Sequence, residues 1–265
     1  SKFHCFIYSF TRIHFEYGST NVTWERVNED NDMIGTLFNA VGVAAGSTVG
    51  LYFKKYISHK SQNKILIVFG LFTVALSVDM ITEMITPIDV FLALILGTLL
   101  GQILSLHDRL TKFTSRFDQN SQENSKDEPS ISSGFIKATV LFCVGGLTLI
   151  GCMEEGLKGK SNLLFIKGTM DLISSFFLSA ALGRGVLFSA IGILIIQGGL
   201  TLFFMSFGQS ISPELISNLT AAGGILLLAL GIDLMNIKSF KMIDLLPSLA
   251  ILPIIHFLHT LIIGA

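Results

Sequence analysis

The sequence predicts an all-α integral membrane protein of about eight transmembrane helices, with an inverted internal repeat relating helices 1–3 to helices 6–8. Three observations predict this. Only 14% of the residues are charged and 51% are hydrophobic, whereas a water-soluble domain carries about 25% charged residues. Eight apolar runs approach the ~20 residues that a helix needs to cross a bilayer. Two stretches also repeat: GTLFNAVGV at 35–43 returns as GVLFSAIGI at 185–193, and Ile57-Ser58 and Gly70 through Asp79 return as Ile211-Ser212 and Gly224 through Asp233.

Residues 1–32 precede the first apolar run as an N-terminal extension. They hold the only tryptophan, Trp24, and the polar run Glu25-Arg26-Val27-Asn28-Glu29-Asp30-Asn31-Asp32. The apolar core and small-residue cleavage site of a signal peptide are missing, and Met33 opens the first long apolar segment, so Met33 is the expected native start. The intact mass of the natively expressed protein checks this, and a mature species retaining Trp24 would contradict it.

The eight spans are read at about 34–53, 64–84, 87–106, 134–152, 163–182, 185–207, 215–235 and 245–264. They divide the chain into a first repeat of three helices (33–106), a cytoplasmic polar linker (107–133), two inserted helices (134–184) and a second repeat of three helices (185–265). The linker is rich in Ser, Asn, Gln, Asp and Glu between Phe117 and Ser133 and contains Pro129, a composition that breaks helices.

Lysine and arginine placement orients the spans. Lys54, Lys55, Lys60 and Lys64 follow the first span, and Arg109, Lys112, Arg116, Lys126 and Lys137 follow the third. Arg184 follows the fifth, and Lys238 and Lys241 the seventh. The second and sixth connections have no Lys or Arg, while the fourth has Lys158, Lys160 and Lys167. The positive-inside bias puts the odd-numbered connections in the cytoplasm and both termini outside. Spans 1 and 6 then run in opposite directions, so the repeats are inverted, the arrangement from which many transporters build alternating access. Pro87 and Pro247, near the starts of spans 3 and 8, support pairing these two as well. The plainer reading of the duplication is a symmetric scaffold.

Several polar residues fall inside spans, where each needs a partner or water. Gly35, Asn39, Gly42, Gly46 and Gly50 share one face of span 1. The glycines read as a packing seam, and Asn39 as the residue that needs a partner. Its repeat counterpart is Ser189. Gln197 lies about 18 Å along span 6 at 1.5 Å per residue. Gly198 and Gly199 after it are expected to loosen the helix and free backbone carbonyls.

Asp171 lies ~12 Å into span 5. Lys167, four residues earlier on the same face, can pair with it, either to neutralise it or to form a counter-ion and proton-coupling site. Asp79 and Asp233, the repeat-related carboxylates, are candidate gate or vestibule residues, or plain helix-end carboxylates reaching interfacial water. Gln102 and Glu154-Glu155 carry the same ambiguity. His256 and His259 are one turn apart without a matched carboxylate or cysteine, which is a weak metal signal. Cys5, Cys143 and Cys152 fit neither a disulfide framework nor a metal site. No phosphate loop, HExxH or nucleophile elbow is present, so the expectation is a protein that is not an enzyme, with no cofactor and no resident metal.

The motifs MIGTLFNAVGVAAGSTVG (33–50), GLTLIGCMEEGLKG (146–159), FIKGTMDLISSFFLSAALGRGVLFSAI (165–191), IQGG (196–199) and LMNIKSFKMIDLLPSLAI (234–251) resemble the YqgA/YdfK-like family of uncharacterised bacterial inner-membrane proteins. The resemblance runs from Met33 onward and implies a multi-pass protein of the bacterial cytoplasmic membrane, but no site residues. The residues themselves suggest a transporter or channel for a small solute or ion. Its substrate-binding site would be Asn39, Lys167, Asp171, Gln197 and Gly198, between helices 1, 5 and 6. The alternative is a non-transporting scaffold or accessory subunit. The expected partners are the lipid bilayer and the small solute or ion, with no nucleic acid given the net charge of −1, and a homo-oligomer is left open.

Overall fold

The computed structural model describes residues 33–118, 130–207 and 211–263. The extension over 1–32 and the middle of the polar linker lie outside the described residues. Among those described the chain is all-helical: α1 (Ile34–Lys54), α2 (His59–Ile81), α3 (Pro87–Ile103), α4 (Leu106–Asp118), α5 (Ile131–Cys143), α6 (Gly146–Lys158), α7 (Asn162–Leu182), α8 (Gly185–Phe207), α9 (Pro213–Leu234), α10 (Met242–Leu245) and α11 (Pro247–Ile263).

Six segments are long and apolar enough to cross a membrane: Ile34–Lys54, Lys60–Ile81, Asn162–Leu182, Gly185–Ser206, Pro213–Leu234 and Met242–Ile262. Two more candidates come as bent pairs, α3 with α4 at 47° and α5 with α6 at 61°. The side chains invert the pattern of a water-soluble domain. Thr36, Asn39, Glu155, Asp171 and Gln197 are buried, while Leu37, Phe91, Ile95, Ile195 and Phe257 are exposed. An apolar exterior on this scale fits hydrocarbon rather than water.

Three readings from the sequence need correction. The fourth span, read as one helix over 134–152, is two helices that break at Val144 and Gly145. The segment 107–133 is not only linker. Its first part is α4, which places Leu106 and Leu110 against the core and Asp108, Arg109 and Lys112 around them, an amphipathic pattern that the charge density obscured. Its last part starts α5, where the Ser130 hydroxyl accepts the Ser133 amide at 3.1 Å, so Lys137 is a helical residue rather than a loop residue. Finally, α8 runs unbroken through Gly198 and Gly199. The broken helix lies in the α5–α6 pair instead.

Small residues set the packing. A Cβ on Gly42, Gly46 or Gly50 would meet the backbone oxygens of Gly168, Leu172 or Phe176. The small face of α1 is therefore a parallel seam against α7, as such faces are in membranes. α2 and α9 cross antiparallel. Gly70 approaches the backbone oxygen of Gly231, Gly224 approaches that of Ser77, and Gly231 in turn approaches that of Gly70. α3 pairs with α10 and α11 through Gly97 against Ser248 and Gly101 against Asp244, and α5 packs on α8 through Gly134 and Gly185.

These pairings sort the helix ends into two sets, one containing Met33 and the other Lys54. α2 and α9 begin with the same device, Ser58 and Ser212 accepting the amides of Ser61 and Leu215 at 3.4 Å and 3.2 Å. Ser212→Ala should destabilise the fold by about 1 kcal/mol, measured as the shift in detergent unfolding midpoint.

Candidate functional site

The site forms where α1, α6, α7 and α8 meet, toward the end that carries Met33. α6 closes at Gly159, whose φ of 66° is the left-handed conformation that glycine adopts without strain. The chain reverses there and returns Ser161 to the Glu155 side chain. Glu155 is fully buried and accepts four hydrogen bonds. The Gly35 amide (2.6 Å) and Ser161 hydroxyl (2.8 Å) donate to Oε1, and the Thr36 (2.8 Å) and Thr201 (3.2 Å) hydroxyls donate to Oε2. Gly35 lies in the first turn of α1, where free amides and the helix dipole favour negative charge.

The polarity continues deeper into the bundle. Gln197 Nε2 donates to Thr36 Oγ1 at 3.3 Å, and Asn39 Nδ2 donates to Gln197 Oε1 at 2.8 Å. On α7, across the seam from Asn39, the Asp171 carboxyl group accepts from Lys167 Nζ. Asn39 and Gln197 have no exposed surface, and Lys167 and Asp171 are buried. Cys152 lies against this chain with Sγ 3.6 Å from the Gln197 carbonyl oxygen. One hydrogen-bonded set of polar groups thus runs from Ser161 to Asn39 through protein interior, and the Lys167–Asp171 pair is buried on the facing helix α7.

Of the five residues expected to bind substrate, Asn39, Lys167, Asp171 and Gln197 come together. Gly198 is buried beside them, where an added Cβ would meet the Met33 side chain at 2.9 Å. The sequence missed the centre. Glu155 looked like a helix-end carboxylate because its helix was read as ending at 152. The available signal was the string GCMEEGLKG, which puts a glycine C-cap after a short helix and so extends that helix through Glu155.

The two repeat-related carboxylates separate. Asp79 is exposed. Asp233 is buried and pairs with Lys137 Nζ at 3.1 Å, tying α5 to α9 beside a polar cavity of about 290 Å³ that His107, Ser133 and Lys241 also line. The matched carboxylate that the two histidines lacked in sequence is Asp89, which is 2% exposed. His259 Nδ1 lies 2.8 Å from Asp89 Oδ1, His256 Nδ1 lies 3.6 Å from Oδ2, and the other nitrogen of His256 meets the Ser212 hydroxyl at 3.2 Å. Among the described residues no group of three or more His, Cys, Asp or Glu side chains is placed to hold a metal ion. Cys143 and Cys152 are free and buried, and Cys5 lies outside the described residues.

Comparison with known proteins adds identity to this geometry. The family described as "Protein of unknown function (DUF554)" matches residues 34–257. The chain belongs to this family. The DUF554 chain is 35% identical over 225 residues to "Uncharacterized membrane protein YdfK" of Bacillus subtilis (strain 168), covering 85% of this chain and 96% of the relative. It is 27% identical over 220 residues to "Uncharacterized protein YqgA" of Escherichia coli (strain K12), covering 82% and 93%. The resemblance read from the motifs is therefore correct. No solved structure matches this DUF554 protein.

Proposed function

We propose that this protein moves a small solute or ion across the bacterial cytoplasmic membrane through the polar site between α1, α6, α7 and α8. The observation that carries this reading is the buried network itself. Glu155, Lys167 and Asp171 are three ionisable side chains held in the interior of a membrane bundle. Such groups are expensive in hydrocarbon and mark ion and proton pathways in membrane proteins. The broken α5–α6 helix packs beside them, and discontinuous helices are common at transport sites.

An inverted repeat is part of the proposal. Gly70 and Ser77 correspond by the repeat to Gly224 and Gly231, at an offset of 154 (70 to 224, 77 to 231). The contact of Gly70 with Gly231 and that of Ser77 with Gly224 exchange under this correspondence, as a two-fold axis between α2 and α9 requires. With the positive-inside orientation, the end bearing Lys54, Lys137 and Lys241 is cytoplasmic. Asp233 and Lys137 then stand at the inner vestibule, and Asp79 at the outer face.

The second reading is a non-transporting scaffold or accessory subunit. The closure of the site favours it, because Gln197 has no exposed surface and its amide bonds both Thr36 and Asn39. An occluded transporter has the same appearance, so flux decides between them. In proteoliposomes screened with small ions and solutes, the wild-type protein should carry flux that Asp171→Asn lowers at least tenfold. Unchanged flux in Asp171→Asn would remove Asp171 from the mechanism, and a wild type silent across the screen would favour the scaffold.

A further inference from the structure

At the end of the bundle that carries Lys54, the chain turns from α3 into α4 through Ser105, whose φ is 49°, and the two helices meet at 47°. Two contacts tether α4 to the segment that opens the last span. The His107 amide donates to Asp244 Oδ1 at 3.0 Å, and Lys241 Nζ lies 3.5 Å from Asp108 Oδ1. Gly101, near the end of α3, packs on the backbone of the same Asp244. Between α4 and this segment a groove of about 390 Å³ remains, lined by Leu106, Arg109, Leu110, Ile243, Leu246 and Pro247. Its volume is many times the ~30 Å³ that one water occupies in the liquid, so it can hold a length of chain. Five of its six residues are apolar, and the sixth ends in a guanidinium.

Arg109 restricts what fits there. Lys137, Lys158, Lys167 and Lys241 each have a carboxylate partner, but among the described residues no carboxylate pairs with Arg109, which is exposed. Its charge does not depend on pH in the working range, and its planar fork of N–H donors matches a phosphate. A free phosphate would leave the apolar walls uncovered, and an apolar peptide would leave the guanidinium without a counter-ion. A phospholipid brings an alkyl chain and a phosphate in one molecule. We infer that the groove between α4, α10 and α11 binds one anionic phospholipid, with an acyl chain along Leu106, Leu110, Ile243 and Leu246 and its phosphate on Arg109. The amphipathic α4, with Leu106 and Leu110 inward and Arg109 and Lys112 outward, is suited to the boundary between headgroups and chains. With the positive-inside orientation this boundary is that of the cytoplasmic leaflet, whose anionic lipids attract basic residues. The binding itself rests neither on that orientation nor on transport.

The test is native mass spectrometry of the purified full-length protein in detergent, titrated with phosphatidylglycerol or with phosphatidylcholine of the same chains. The wild-type protein should take up one phosphatidylglycerol roughly tenfold more tightly than phosphatidylcholine, and Arg109→Gln should remove that preference, as expected for the loss of one charge-assisted contact. Lys55→Gln, which removes an exposed cation at the same end of the bundle, should keep it. Equal affinity for the two lipids, an unchanged preference in Arg109→Gln, or the same loss in Lys55→Gln overturns the inference. Leu246→Trp, which fills the groove and leaves Arg109 in place, should weaken the binding of both lipids. Wild-type affinity in that variant, once thermal unfolding shows it folded, overturns the acyl-chain site, and if it does not fold the Arg109→Gln result decides. Glycerol 3-phosphate, a headgroup without chains, should not displace the lipid at equal concentration. Displacement would make the site one for a free phosphate ester, and a mass increment of a second protein chain in place of lipid would make it a dimer interface; either overturns the inference.

Discussion

Glu155→Ala should lower stability by about 3–5 kcal/mol, one of the largest effects of any single truncation in this protein. The substitution leaves the Gly35 amide and the hydroxyls of Thr36, Ser161 and Thr201 without their acceptor, and each buried group left unpaired costs about 1–3 kcal/mol before relaxation. It also opens a hole where α1, α6, α7 and α8 converge, in a place where lipid cannot supply hydrogen bonds. Glu155→Gln keeps the shape and one acceptor oxygen, and so should cost less than half as much. The ratio of the two effects, measured by denaturant unfolding in a fixed detergent, separates the hydrogen-bonding role of Glu155 from its volume. Equal losses in the two variants would mean that charge, rather than acceptor geometry, holds the helices together.

Gly50→Ala should destabilise by about 1–3 kcal/mol or more, the usual range for overpacking. The new methyl carbon would collide with both the Phe176 carbonyl oxygen and Ser179 Oγ. A serine hydroxyl can rotate away, but a helix backbone cannot, so α1 and α7 must move apart. That seam carries Asn39 on one side and Lys167 and Asp171 on the other, so separation should also impair whatever the site does. Gly199→Ala supplies the control. No atom lies within 4 Å of its added carbon, so it should be neutral or slightly stabilising, since alanine favours helix over glycine by ~1 kcal/mol. Comparable losses in both variants would locate the sensitivity in helix propensity and not in the α1–α7 seam.

The candidate site was partly legible in sequence because a polar residue in an apolar run demands a partner. Asn39, Lys167, Asp171 and Gln197 stood out for that reason, and the (i, i+4) geometry of one helix gave the Lys167–Asp171 pair directly. Glu155 did not stand out, because a carboxylate close to a helix end has water as an ordinary alternative. Only the reversal at Gly159 and the approach of the α1 N-terminus make it interior. Asp89 was overlooked for the same reason. It sits in the first turn of α3 and meets His256 and His259 about 170 residues later, a distance that no local pattern spans.

The sequence by itself determined the membrane character of this protein and the placement of its six long apolar helices. Hydrophobic length and composition are local properties, and the bilayer reads them directly. It also determined the pairs of segments that repeat, because similarity needs no coordinates. The tertiary structure alone decided that α5 and α6 break at Val144 and Gly145, that Gly198 and Gly199 do not break α8, and that Asp233 has a cation while Asp79 faces outward. Each of these depends on which neighbouring helix satisfies or crowds a given backbone or carboxylate. In a membrane interior that has no water to fall back on, such partners are set by packing across the bundle and not by the residues on either side in the chain.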